Sequence, residues 1–269
     1  METKDYMVKK PHVLVLKSAG TNCDEETRIA FELTGANAEI VYTQDLYTNK
    51  KKLERFHILI FPGGFSYGDD IAAGKVWATE IKHFFIDKLK QFIKEGKLIL
   101  GICNGFQVLV KLGLLPALNG KIDQSVSLIC NDSARYEDRW VYLKKCSTKT
   151  VFVNDLEGLL LIPVAHTEGK FITKDEEILK KLFKKDQVIF QYVDKNGKIT
   201  GHPANPNGSV RNIAGICDET GRVLGMMPHP ERAVLQTQYP DWRRNKIKSS
   251  MMGSTIIENA VNYIKTTLL

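Results

Sequence analysis

No run of about 18 apolar residues occurs anywhere in the 269-residue chain, so no membrane span is expected. The N-terminal stretch Met1–Lys10 mixes charges and lacks an apolar core, so no secretory signal is expected and the cytoplasm is the default location. Only five cysteines are present, Cys23, Cys103, Cys130, Cys146 and Cys217. An odd, scattered set is a poor disulfide framework, and without a CxxC pair no structural metal site is expected. Free thiols in a reducing compartment remain, one of them open to chemistry. No G-x-x-x-x-G-K-[ST] string exists to cradle nucleotide phosphates. The net charge of +7 has no nucleic-acid motif beside it, and part of it lies in mixed runs such as Asp175 to Lys185, so no nucleic-acid partner is expected.

The rest is an ordinary soluble composition, 43% hydrophobic and 26% charged. Short apolar runs at Val13–Leu16, Ala38–Val41, Ile58–Phe61 and Leu98–Leu100 read as buried strands. Helical patterns separate them, at Asp24–Leu33, Ile71–Lys94 and Phe106–Leu112, closed by Gly35, Gly96 and Gly113. This alternation predicts an α/β fold with a mostly parallel central sheet flanked by helices. From Val126 to Val193 the pattern changes to a strand-rich region with one amphipathic helix near Lys174–Lys184. Val223–Met227 returns to a core strand, and a last helix runs from Ser254, its expected N-cap, to about Ile264. No repeat or low-complexity segment interrupts the chain, which is taken as a single domain, 1–269.

Chemistry concentrates at three strand ends. Gly101-Ile102-Cys103-Asn104-Gly105 follows one strand and opens a helix, the cysteine counterpart of the G-x-S-x-G nucleophile turn. A Cβ at either flanking glycine would collide in so sharp a turn, and the helix N-terminus favours a thiolate on Cys103. Pro228-His229-Pro230-Glu231 follows the Val223 strand. His229 there is the candidate base and Glu231 the carboxylate that fixes its tautomer. Pro62-Gly63-Gly64 ends a third strand and can turn N–H groups inward, so Gly64 and the Asn104 N–H are the candidate oxyanion donors. Cys23 is the rival nucleophile, but Asp24, Glu25 and Glu26 beside it oppose thiolate formation. His166 and His202 are competing bases without a carboxylate at so convenient a spacing.

Together these segments resemble a class I, triad-type glutamine amidotransferase domain of flavodoxin-like fold. Gly101 to Gln107, Pro62 to Asp69, Gly20 to Asp24, Asn131 to Glu137, Pro163 to Gly169 and His229 to Arg232 are similar to one branch. That branch is the glutaminase subunits of phosphoribosylformylglycinamidine synthase, in purine biosynthesis. The resemblance runs from about Val13 to Arg232, and departs from the usual pattern at Thr167 and Asp70. It implies that Cys103 attacks the glutamine amide, that His229 and Glu231 complete a triad, and that Gln107 helps hold glutamine. It further implies a large synthetase subunit and a small accessory subunit as partners, with ATP and magnesium at the synthetase and no cofactor in this chain. Ammonia would pass to the synthetase, which converts formylglycinamide ribonucleotide to formylglycinamidine ribonucleotide.

Three other readings remain open. A glutaminase of another synthetase would not need the Cys-Asn-Gly-Phe-Gln string or the His166 region. A cysteine hydrolase or stress protein on a similar sheet need not place Pro-His-Pro-Glu after a late strand. A non-enzymatic binding module would need none of the three strand-end motifs. Residues 233–252 lie beyond the resemblance as a basic, family-variable insertion. Trp242 among Arg243, Arg244, Lys246 and Lys248 marks it either as a docking element or as a solvated loop.

Overall fold

A computed structural model describes residues 9–269, so all but the end of the Met1–Lys10 stretch lies outside the described residues. The elements in chain order are β1 His12–Lys17, α1 Asp24–Leu33, β2 Asn37–Tyr42, α2 Thr43–Thr48, β3 Ile58–Phe61, α3 Lys75–Phe84 and α4 Ile86–Lys94. There follow β4 Leu98–Ile102, α5 Asn104–Leu112, β5 Val126–Ile129, β6 Glu137–Lys145, β7 Leu159–His166 and β8 Lys170–Thr173. The chain closes with α6 Glu176–Lys184, β9 Val188–Val193, β10 Ile213–Cys217, β11 Val223–Met226 and α7 Gly253–Thr267.

A nine-stranded sheet has the order β2-β1-β3-β4-β11-β10-β9-β6-β7. The first five strands are parallel. Every residue of β3, β4 and β11 is buried, as expected where helices cover both faces of a parallel sheet. From β11 onward each neighbour is antiparallel. Four reversals therefore return β7 to the direction of the parallel strands. β5 and β8 form a separate two-stranded sheet, so the expected strand-rich region is present.

Two expectations need correction. The helix expected over 71–94 is two helices, broken at Phe85 (φ −141°) and begun only after Gly74. Its apolar stripe of Ile81, Phe85, Leu89 and Phe92 is buried and runs through the break, so periodicity gives no warning of it. The last helix starts at Gly253 and takes no side-chain cap from Ser254. Gly253 N–H donates instead to the Ala233 carbonyl at 2.9 Å, which does the work of a cap. The helix near Lys174 begins at Glu176, with Asp175 as N-cap accepting from Ile178 N–H at 2.8 Å.

Candidate active site

β1, β3, β4 and β11 are mutually parallel, so the loops after them open on one edge of the sheet. The loop after β4 is the sharpest. Cys103 has φ 50° and ψ −106°, a left-handed, strained setting for a residue with a Cβ. Its N–H donates to Met226 of β11 at 2.8 Å, which fixes the turn against the neighbouring strand. A Cβ on Gly105 would lie 1.8 Å from the Phe61 carbonyl oxygen, and one on Gly101 2.8 Å from that of Gly105. Both glycines of the motif are thus set by close approach. Cys103 Sγ is 3.6 Å from the Ala165 carbonyl oxygen of β7, so the sheet curls far enough for its last strand to reach the site.

The loop after β11 carries the candidate base. His229 N–H donates to Pro163 of β7 at 2.9 Å, and the imidazole Nδ1 is 2.6 Å from Glu231 Oε1. Both side chains are buried. His229 Nε2 and Glu231 Oε2 have no hydrogen-bond partner among the described residues. Burial alone would push the imidazole down. The Glu231 carboxylate and the Cys103 sulfur reverse this and hold it well above its ordinary value. The arrangement is an imidazole fixed at one nitrogen and free at the other, coupled to a thiol at a helix start.

The loop after β3 closes the site. A Cβ on Gly63 would fall 2.7 Å from His229 Cε1, so bare backbone lies against the imidazole. Gly64 has φ 144° and bridges to Thr21 in the loop after β1. Asn104 is the first residue of α5, so its N–H has no intrahelical partner. Its buried side chain donates to Asp69 Oδ1 at 3.1 Å and to Gln107 Oε1 at 2.9 Å, and accepts from Ser66 N–H at 3.2 Å. Gln107 Nε2 donates to the Glu168 carbonyl at 2.6 Å, so both ends of that amide are engaged by protein. Burial pushes the Asp69 carboxyl up to about 6, with Glu168 adding to the effect.

Other residues resolve differently. His166 is buried, and burial pushes its ring down to about 3, so it stays neutral. Asn131 holds it: Nδ1 is 3.2 Å from Asn131 Oδ1, which also accepts from Gly169 N–H at 3.0 Å. The Asn131 and His166 segments are therefore a brace under the turn between β7 and β8. Cys23, weighed in the sequence only as a rival nucleophile, lies in the site: its sulfur, His229 and Glu231 offer polar atoms all within 4.8 Å of one another. Burial pushes that thiol up, and Arg232 Nη2 donates to it at 3.0 Å while also holding Glu26 at 3.1 Å. Pairing between distant loops brings Cys23 there, through Cys23 N–H on Gly63 O at 3.2 Å.

The chain belongs to the CobB/CobQ-like glutamine amidotransferase family, whose model matches residues 10–264. It is 41% identical to the PurQ subunit of phosphoribosylformylglycinamidine synthase from Methanococcus maripaludis, over 96% of each chain. It is 45% identical to that of Archaeoglobus fulgidus, over 94% of this chain and 97% of the relative. Among solved structures, PurLQS from Thermotoga maritima matches with a TM-score of 0.72 and 32% identity, over 95% of this chain and 100% of the other. Within the family the chain belongs with the PurQ subunits, the glutamine amidotransferase subunits of that synthase in purine biosynthesis. No described helix is long and apolar enough to cross a membrane.

Proposed function

We propose that the chain hydrolyses glutamine to glutamate and ammonia through a thioester on Cys103. The observation that carries this reading is the buried His229–Glu231 pair, closed at 2.6 Å on one nitrogen and open on the other. The thiolate attacks the side-chain amide carbon, and the tetrahedral oxyanion rests on the N–H groups of Gly64 and Asn104. His229 gives its proton to the departing ammonia, then takes one from water as that water attacks the thioester. Glu231 holds the imidazole and stabilises its charged form. Gln107 acts at the glutamine edge through its hold on the Glu168 carbonyl.

The ammonia passes to a synthetase subunit that uses ATP and magnesium to convert formylglycinamide ribonucleotide to formylglycinamidine ribonucleotide, with a small accessory subunit in the same complex. The chain acts as one amidotransferase domain, and residues 233–252 are a basic insertion in it. Cys103→Ala is expected to abolish glutamine hydrolysis while ammonia-driven synthesis by the assembled complex persists. Retained glutamine-dependent synthesis in that variant would remove the nucleophile assignment. Cys23→Ala is expected to keep measurable turnover, because its sulfur supports His229 and forms no acyl bond.

A further inference from the structure

We propose that Asn104 is a positioning residue whose single buried amide holds both oxyanion donors in register. The inference rests on the assignment of the Gly64 and Asn104 N–H groups above and adds what fixes their spacing.

The two donors belong to separate segments, the loop after β3 and the start of α5. A useful donor pair must be held to about 0.5 Å by its supporting shell. The Asn104 side chain is 1% exposed and joins the segments directly. Its Oδ1 takes the N–H of Ser66, two residues beyond Gly64, at 3.2 Å. Its two amide protons go to Asp69 Oδ1 at 3.1 Å, in the same loop, and to Gln107 Oε1 at 2.9 Å, one turn along α5. Gln107 extends the hold to the Glu168 carbonyl, and the Glu168 carboxylate accepts Ala73 N–H at 3.3 Å. The amide can face only one way, because Ser66 N–H can only donate and the Asp69 oxygen can only accept when ionised.

The loop it grips needs gripping. Tyr67, Asp69 and Ile71 have φ of 55°, 55° and 71°, and the Ile71 side chain is 90% exposed. Such settings are disfavoured for residues with a Cβ and persist only where surroundings over-determine them. Two of the contacts that do so end on Asn104. Aspartate has the same shape but would oppose acceptors to Asp69 and Gln107. The side chain of the residue after the nucleophile therefore serves the same oxyanion as its backbone.

The test is a donor–acceptor swap in the full chain, assayed in its complex. Asn104→Asp is expected to lower kcat for glutamine hydrolysis about 100-fold with little change in KM. Alkylation of Cys103 by iodoacetamide, read at an alkaline pH where the thiol is ionised in both proteins, should keep its rate, since the new carboxylate beside the sulfur opposes thiolate formation and not the approach of the reagent. Adding Asp69→Asn restores a donor facing the new carboxylate. The double variant should recover at least about tenfold in kcat over Asn104→Asp, which a merely damaged fold would not do. Wild-type kcat in Asn104→Asp, or a double variant no better than the single with alkylation intact, overturns the proposal. Full turnover in Cys103→Ala would instead sink the underlying catalytic reading and is separately visible.

Discussion

His229 is a buried imidazole that keeps its proton because two neighbours outweigh its burial. As the group that moves protons, it should matter more than its orienter. His229→Ala is expected to lower kcat about 10⁴-fold or more, and Glu231→Gln by less, in glutamine hydrolysis by the complex. The same pair gives a stability signature. A raised folded value means that the stabilisation is whole below the ordinary 6.5 and is lost as pH rises through the raised value. The melting-temperature gap between wild type and Glu231→Gln should therefore be widest below pH 6.5 and shrink on the alkaline side. Asp69 is also raised, but here the charged form is the one disfavoured. Its carboxyl, at 3.8 when unperturbed and about 6 in the fold, favours the folded state at low pH, and that benefit is lost as pH rises through about 6. Asp69→Asn, which cannot ionise, should melt higher than wild type at pH 8 and level with it near pH 4. A wild type that melts higher at pH 8 would contradict the burial argument.

The elements differ in how plainly the sequence announces them. β3 and β4 are continuous apolar runs bounded by glycine and proline, and they stand where expected. β7 is hard to see in the sequence because Pro163 sits inside it, and proline argues against an interior strand. β7 is in fact the last strand of the sheet, and its alternating buried and half-buried residues fit that place. The Gly101–Gly105 turn was legible because its glycines respond to a local collision. Gly105→Ala would set a methyl group 1.8 Å from the Phe61 oxygen. It is expected to cost at least about 3 kcal/mol in a urea titration, with loss of activity. The His229–Glu231 pair could be read because both residues follow one strand in a single motif. The Asn104 clamp and the Cys23–Arg232 contact could not, because their partners lie in loops whose meeting is decided by sheet order. Ser254 offered good capping chemistry and was outcompeted by a backbone carbonyl that only the tertiary fold delivers.

At the scale of the molecule, the net charge of +7 is unevenly used. Residues 233–252 are anchored at their base. Tyr239 is buried, packs against Trp140 with ring centroids 5.1 Å apart and planes tilted by 37°, and donates to the Ala233 carbonyl at 3.0 Å, while the Ser250 carbonyl accepts from Glu157 N–H at 3.2 Å. Trp242 is 40% exposed with the Arg243 guanidinium 5.2 Å over its ring, so an aromatic and a cation are offered together on a fixed base. Replacing Trp242, Arg243 and Arg244 by alanine should weaken complex formation about tenfold or more in a binding titration. The gap to wild type should narrow as salt screens the arginines, and unchanged affinity would leave the segment a solvated loop. The order of the sheet carries one more consequence. β4 and β11 lie side by side although 120 residues, 103–222, separate them, so thiol and imidazole meet only when the final strand inserts. A polypeptide still emerging from the ribosome, or one cut short before residue 223, holds the reactive sulfur without the group that completes it. Unfinished copies of this subunit are therefore expected to leave the cell's glutamine untouched.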